Sequence, residues 1–328
     1  MPAADVLLVS LGSTGGLRAA DDELVAALRR AGANVQIVRA RPPRAVRTYS
    51  LTDLVWANAA RAAAAAGIAE HRPRTVLYST VTAALLWPRP GAIRYDAPAA
   101  ANRPGRHGFW QRPLERRRLA TAPLLVPVDS GTLAETPLPH AAALVVPIPV
   151  EPSGNPAGPR DIAALTYAAN PHKKGLDRIL SAWELARAEG EQLVVAGVDL
   201  RLDLAGVHVT GRLEPRAYRA LLRRARVFVA APRREDYGLA QLEALADGCQ
   251  LVTTTAPGPY AALALARALD ARLVVAPDAA PLLADALRSA LDAPRAGYAR
   301  RATAAIAPFR RASVDAVVRD QLLPRLLA

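Results

Sequence analysis

Glu235 and Glu243 stand eight positions apart in the run Arg234-Glu235-Asp236-Tyr237-Gly238-Leu239-Ala240-Gln241-Leu242-Glu243-Ala244-Leu245-Ala246-Asp247-Gly248. The first falls in a polar turn after the apolar stretch Val227-Phe228-Val229-Ala230, and the second more than one turn into a helix that Gly238 opens and Gly248 closes. Carboxylates therefore sit at two levels of a helix mouth. The backbone N–H groups of Gly238, Leu239 and Ala240 would point out of the helix start and favour an anion such as a diphosphate. Glu243, one turn deeper, suits paired hydroxyls of the kind a ribose presents, and Glu235 suits hydroxyls on the far side of the same anion. The three groups together describe a cradle for a nucleotide-sugar. The competing reading is a capped surface helix with two solvated glutamates.

Around this unit, strand-like and helix-like pieces alternate. The spacing predicts a strand over 6–11, a glycine-rich turn over 12–16, a helix over 21–31 that Asp21 begins, and a strand over 35–38. An alanine-rich helix over 52–66 and strands over 75–78, 92–95, 124–128 and 144–146 follow. The stretch from Pro147 to Pro159 is too rich in proline and glycine to hold a helix or a central strand, and it is long enough to link domains. The alternation then restarts. Strands are predicted over 163–167, 192–196, 207–210, 227–230, 251–254 and 272–275, with helices over 175–188, 215–225 and 280–291. Alternation of this kind argues for an α/β protein of two Rossmann-like domains, each with a parallel sheet covered on both faces, facing across a cleft. The expected boundaries are 1–152 for the first domain and 160–308 for the second. A last helix, about 310–328, has apolar residues at Val314, Val317, Val318, Leu322 and Leu326.

The Glu235 to Gly248 run resembles the E-x7-E region of retaining glycosyltransferases of the GT-B fold, family four, whose usual form reads E-G-F-G-L-x-x-x-E-A-M-A-x-G-x-P-V-V. The chain keeps Glu235, Gly238, Leu239, Glu243, Ala244, Ala246 and Gly248, and has Tyr237 for the usual Phe. The segment from Leu165 to Trp183 is similar to the family's G-R-L-x-x-x-K-G turn, in which a lysine and an arginine grip the donor diphosphate. Lys174 falls on the lysine, where a cation would neutralise the charge that builds as the sugar–phosphate bond breaks. The arginine position falls on Ala169, so the second cation must come from Lys173, His172 or an arginine elsewhere in the cleft, or turnover is slow or absent. Lys173 and Lys174 also stand at a helix start, where the macrodipole disfavours cations, a misfit that suits a functional role better than a solvated pair.

The resemblance implies more. Gly12-Ser13-Thr14-Gly15-Gly16 matches the family's N-terminal glycine loop, so Gly15 and Gly16 are expected to let main-chain N–H groups approach the donor phosphates or the acceptor. Asp96, after the strand over 92–95, is the candidate for orienting the acceptor, with His107 as a second; a turn Asp capping its own backbone is the alternative. Arg212 and Leu213 fall in the loop that flanks the nucleotide base, and Tyr237 beside the helix mouth. The implied activity is a metal-independent, retaining transfer of a hexose-type sugar to an acceptor such as an anionic lipid or cell-envelope glycan precursor. The nucleotide-sugar is a substrate and no cofactor is implied. The last helix is expected to cross back onto the first domain. A nucleotide-sugar-binding protein without transfer activity is the alternative that Ala169 suggests.

Composition bounds these readings. At 328 residues, 52% of them apolar, the chain suits two domains of about 150 residues each. Cys249 is the single cysteine, which rules out a disulfide framework within the chain, and it sits where a small core residue belongs. No stretch approaches a membrane span, and the first residues lack a basic region followed by an apolar core, so a cytoplasmic location is expected. The net charge is +13. Arginines cluster at Arg39, Arg41, Arg44 and Arg47, then at Arg103, Arg106, Arg112, Arg116, Arg117 and Arg118, and these two sets are candidates for contact with the anionic inner face of a membrane. Arg216, Arg219, Arg223 and Arg226 share one face of the helix after Pro215, and a solvated stripe is expected there. With 5% aromatic residues and no recognisable module, nucleic acid is not an expected partner. No D-x-D, H-E-x-x-H or C-x-x-C occurs, and the five histidines have no ligand spacing, so no metal is expected.

Overall fold

The computed structural model describes residues 3–44, 46, 48–103, 105–154, 159–258 and 260–328, and leaves the side chains of Tyr49, Ser50 and His107 aside. Arg47, the His107 side chain and residues 155–158 of the proline-rich break therefore lie outside the described residues. The chain divides into two units, the first made of Met1–Pro149 with Arg311–Ala328, the second of Val150–Arg310.

The first unit is built on five parallel strands, β1 (Val6–Ser10), β2 (Val35–Arg39), β3 (Thr75–Tyr78), β4 (Ala92–Tyr95) and β5 (Leu125–Pro127), in the order β2-β1-β3-β4-β5. The period-2 geometry of a strand is visible in how its residues divide between two cores. Leu7 and Val9 of β1, with Val76 and Tyr78 of β3, pack on Ala57, Ala60 and Ala64 of helix Tyr49–His71. Val6, Leu8 and Leu77 face the other way, onto Leu24, Val25 and Leu28 of helix Gly15–Arg30. Alanines suit the first of these faces because the helix lies close: a Cβ added at Gly67 would meet Val38 Cγ1 at 2.8 Å.

The second core also receives Val314, Val318, Leu322 and Leu326 from residues 311–327, so this last helical segment belongs to the first unit. Positions four apart drift by about 40° per step on an ideal α-helix. A π-helical stretch at Val318–Leu322 underwinds the middle of the segment, which counters that drift and keeps the four side chains on one line.

The second unit has six parallel strands, β6 (Ile162–Tyr167), β7 (Leu193–Ala196), β8 (Val207–Gly211), β9 (Ala225–Ala230), β10 (Gln250–Thr254) and β11 (Val274–Val275), ordered β11-β10-β9-β6-β7-β8. Helix Leu176–Ala186 packs on helix Ala280–Asp292, and helix Leu239–Ala246 on helices Ala261–Asp270 and Tyr298–Ala305. The β6-to-β7 and β9-to-β10 connections step across the sheet in opposite directions, so right-handed crossovers put helices Leu176–Ala186 and Leu239–Ala246 on opposite faces.

Several expectations are corrected. The glycine stretch is not a turn to its end: Thr14 Oγ1 accepts the Leu17 N–H at 3.2 Å and starts the helix at Gly15. Asp21 does not begin that helix; it is fully buried within it, accepting from Ser10 Oγ at 2.6 Å with Arg94 Nη1 at 3.6 Å. Residues 144–146 lie along β5 without forming a strand: the Leu144 N–H donates to Leu125 O at 2.9 Å and the Val146 N–H to Pro127 O at 3.0 Å, but Pro127 has no N–H to return a bond, so only a bridge between Leu125 and Ala143 is completed. Helices Gln111–Thr121, Ala261–Asp270 and Tyr298–Ala305 are additions to the reading. The arginine stripe is no solvated face: Arg216 is exposed, but the Arg219 side chain is 13% exposed, Arg223 Nη1 donates to Ser153 O and Oγ, and Arg226 lies in β9. Cys249 is buried, donating to Leu222 O at 3.1 Å, and burial pushes its thiol up to about 11.

Two outcomes follow from this packing. Leu322→Ala, which empties a fully buried site, is expected to cost the first unit about 2–5 kcal/mol, read as a lower urea midpoint for that unit in equilibrium unfolding. Glu115, buried and accepting the Ala99 N–H at 2.6 Å, has its carboxyl pushed up to about 7 by burial. The folded chain then holds a proton that the unfolded chain has released, so its stability falls as pH rises from about 4.5 towards 7, by up to roughly 3 kcal/mol. Glu115→Gln should flatten that part of the melting-temperature profile against pH.

Candidate functional site

Lys174 and Glu235, distant in sequence, meet in the second unit with Nζ and Oε2 2.6 Å apart. Their meeting has a backbone cause. Asn170 follows β6 and its Oδ1 accepts the Lys173 N–H at 2.9 Å, capping the single turn Pro171–Lys174, and Gly175 ends that turn at φ 65°. A Cβ on Gly175 would stand 1.9 Å from the carbonyl oxygen of Ala231, just past β9. Only glycine tolerates both the left-handed backbone and the contact. The Arg233 N–H then donates to Lys173 O at 2.9 Å, zipping the turn after β6 to the turn after β9 and bringing the Lys174 ammonium to the Glu235 carboxylate.

Glu235 is held from its other side as well. Its N–H donates to Pro257 O at 3.1 Å, and Gly258 approaches so closely that a Cβ there would lie 2.1 Å from the Glu235 carbonyl oxygen. Gln241 Nε2 donates to Glu235 Oε2 at 3.1 Å. The carboxylate is thus fixed by an ammonium and an amide, with Glu235 5% exposed. Gly238 caps the following helix at φ 80°, without a side-chain hydrogen bond to the first turn. Among the described residues no side chain caps this helix start, where the dipole is positive. Tyr237 is buried beside this start and Leu239 half-buried within it.

Glu243 lies one turn deeper, half-buried, with Oε1 3.6 Å from Arg219 Nη1. Burial pushes its carboxyl above the ordinary range, Arg219 draws it back down, and Asp247 pushes it up again. Arg219 Nη2 stands 3.1 Å from Asp247 Oδ2, and Asp247 also accepts from the N–H and Oγ of Ser153 at 2.7 and 2.9 Å. Next to Glu235, Asp236 accepts from Lys173 Nζ at 2.9 Å and Arg234 Nε at 2.7 Å. Burial alone would raise that carboxyl, and the two cations outweigh it and hold it below its ordinary value.

The second unit therefore brings together Lys174, Glu235, Tyr237, Gly238 and Leu239, with Glu243 along the same helix. Arg212 and Leu213 stand past the end of β8, where the Arg212 N–H donates to Asp199 Oδ1 at 3.2 Å and the Arg212 side chain is 80% exposed. Gly15, Gly16 and Asp96 belong to the first unit. Gly15 and Gly16 are exposed in the first helical turn, and an added Cβ would meet nothing nearer than 3.9 Å, so the fold itself does not require glycine at either place. Asp96 is exposed past β4, its carbonyl accepting from Thr132 Oγ1 at 2.8 Å. Sequence reasoning missed Gln241, Arg219 and Gly258 as site residues. Gln241, three positions after the capping glycine, carried a readable signal. Arg219 and Gly258 act from other elements and carried none. Among the described residues no group of three or more His, Cys, Asp or Glu is placed to hold a metal ion, and no helix is long and apolar enough to cross a membrane.

Residues 162–293, all in the second unit, match the protein family described as glycosyl transferases group 1. No curated protein sequence matches the chain. Among solved structures, the chain is similar to sucrose-phosphate synthase from Thermosynechococcus elongatus, at 16% identity, with 98% of each chain covered and a TM-score of 0.76. It is similar to WaaG, a glycosyltransferase involved in lipopolysaccharide biosynthesis, at 17% identity over 96% of this chain and 98% of that one, TM-score 0.72. HepE of Anabaena, solved with UDP and glucose, shows 14% identity over 97% and 98% of the chains, TM-score 0.69. These likenesses show the fold: two parallel-sheet α/β domains of the GT-B class.

Two variants test how the site is held. Gly175→Ala should destabilise the second unit by at least about 2 kcal/mol, since both the left-handed φ and the Ala231 carbonyl oppose it, measured as a loss in urea midpoint. Removing the Arg219 guanidinium by Arg219→Met should move the Glu243 carboxyl titration to higher pH in carbon-detected NMR, because the one cation drawing it down is gone. An unmoved titration would show that Arg219 does not act on Glu243.

Proposed function

We propose that this chain is a retaining, metal-independent glycosyltransferase that uses a nucleotide-sugar whose donor half is held by the second unit. The single observation that carries the reading is the Lys174–Glu235 pair beside the uncapped start of helix Leu239–Ala246, inside the segment that matches the glycosyl transferases group 1 family. HepE, of the same fold, was solved with UDP and glucose, which supports a nucleotide-sugar as the ligand class.

In this scheme the diphosphate sits on the helix start and takes the Lys174 ammonium, which leaves Glu235 open to the hydroxyls of the transferred hexose. Glu243 receives the ribose hydroxyls; Arg212 and Leu213 border the base. Positioning and charge stabilisation carry the rate, and the departing phosphate takes the proton of the acceptor hydroxyl on the same face, which preserves the anomeric configuration. The cation missing at Ala169 is supplied by Lys173 and Arg234, which share Asp236 and are drawn off it by a more highly charged anion. Gly15 and Gly16 serve the phosphates or the acceptor from the first unit, and Asp96 orients the acceptor.

The acceptor is proposed to be an anionic lipid or envelope-glycan precursor, reached at the inner membrane face. Arg106 and Arg116 are exposed near Phe109, itself 67% exposed, with Arg117 exposed on the same helix as Arg116, a pairing of cations with an apolar anchor that suits an anionic bilayer. The other cluster members are engaged: Arg103 pairs with Asp53 at 3.0 Å and Arg118 stacks over Trp87. Ala169 also favours a second reading, a nucleotide-sugar-binding protein without turnover, which binding without product would establish.

The test is a panel of UDP-, GDP-, ADP- and TDP-sugars in calorimetry and in transfer assays. Glu243→Ala is expected to weaken donor binding by about 1.5–3 kcal/mol. Lys174→Ala should lower kcat by roughly a hundred-fold or more with a smaller change in donor affinity. Unchanged donor affinity in the first variant would remove Glu243 from the ribose site, and unchanged turnover in the second would remove Lys174 from the chemistry.

A further inference from the structure

A pocket of about 210 Å³ opens in the second unit between the N-terminal ends of helices Leu176–Ala186 and Ala280–Asp292 and the end of β10. It lies on the sheet face opposite helix Leu239–Ala246, with the turn that Arg233 ties to Lys173 between it and the proposed donor site. Two buried polar atoms among its lining residues have no hydrogen-bond partner among the described residues: Arg178 Nε and Thr254 Oγ1. Thr254 is 2% exposed and the Arg178 side chain 18%. A buried donor and a buried hydroxyl left unmet cost stability unless something occupies the space beside them.

The rest of the lining narrows what that is. Arg178 Nη2 pairs with Asp278 and Arg233 Nη2 with Asp177, the latter at 2.6 Å, so the two guanidiniums are matched by two carboxylates and the pocket carries no net charge. The carboxylates are the outermost groups, 70% and 62% exposed, and would repel an anion on entry. The arrangement offers deep donors, outer acceptors and the Ser181 hydroxyl to a ligand that both accepts and donates hydrogen bonds. The space is below the usual range for a drug-sized ligand and fits one small ring.

We infer that this pocket is a second binding site, for a single neutral sugar ring, with one ring oxygen or hydroxyl seated between Arg178 Nε and Thr254 Oγ1 and further hydroxyls on Asp177 and Asp278. Its wall is shared with the proposed donor site: Arg233 donates through its N–H to Lys173 O and through Nη1 to His172 O, at 2.9 and 2.8 Å. A sugar held there touches the turn that carries Lys174 without entering the donor site.

The probe is a saturation-transfer NMR titration of the full chain with free D-glucose, D-mannose, D-galactose and myo-inositol, and separately with inorganic phosphate. At least one sugar is expected to bind, with affinity falling about ten-fold in Arg178→Ala and in Thr254→Val and unchanged in Glu235→Gln and Glu243→Ala. Thr254→Val also removes an unmet buried hydroxyl, so its melting temperature should rise as its sugar affinity falls, which separates loss of a ligand contact from loss of fold. No sugar binding, phosphate binding alone, or sugar binding that Glu235→Gln abolishes and Thr254→Val spares would overturn the assignment. Loss of donor binding in Glu243→Ala tests the donor site alone, so the two readings fail separately.

Discussion

Everything at the candidate site depends on one close approach. Gly175 passes the carbonyl of Ala231 at a distance that no side chain would allow, and in doing so it registers the turn after β6 against the turn after β9. These two strands are neighbours at the middle of the sheet, so the register is set by a ladder of main-chain hydrogen bonds and does not rest on mobile side chains. Lys174 on one turn and Glu235 on the other inherit that precision. Gly258 repeats the device from the third neighbouring turn, holding the Glu235 backbone from below. A charge pair built in this way is rigid in its backbone and replaceable in its partners, which is what a site that exchanges an internal ion pair for a ligand requires.

The charge of the chain acquires a different meaning once its arginines are placed. A net +13 suggests a surface looking for anions. In the second unit, however, several arginines act inward. Arg160 reaches the carbonyls of Leu222, Ala225 and Asp247, and Arg226 that of Leu291. Arg219 and Arg223 tie the 151–154 segment to Asp247 and Glu243. A guanidinium can satisfy several carbonyls at once, so it closes loop and helix ends where a smaller donor would leave acceptors unmet. Other arginines stay exposed on both units, among them Arg41, Arg44, Arg106 and Arg116 in the first and Arg212 and Arg216 in the second.

The strands and their alternation were legible because two-sided burial writes apolar runs of the right length between turn residues. Each strand of the second unit was read to within two residues at either end, and Gly238 and Gly248 marked the ends of helix Leu239–Ala246 in the sequence. What escaped had physical reasons. The helix at Gly15 was hidden because glycines read as a turn, and only the Thr14 cap settles where the turn ends. Helix Gln111–Thr121 carries so many arginines that it has little apolar face to detect. The arginine stripe misled because spacing fixes a face but says nothing about what covers it; Ser153, Asp247 and Glu243 come from elsewhere in the chain. Arg178 and Thr254 were invisible for the same reason, since a pocket between three elements has no linear signature.

The return of residues 311–327 to the first unit bears on how the protein is made. During synthesis the second unit, a continuous stretch from Val150 to Arg310, is complete in sequence while the tail is still inside the ribosome. The first unit, although it is translated earlier, has Leu24 and Leu28 covered by Val6 and Leu8 but lacks the rest of that core until Val318, Leu322 and Leu326 emerge. The nascent chain is therefore most exposed to chaperones and proteases through its earliest-made half, and a premature stop would spare the later half while stranding the earlier one.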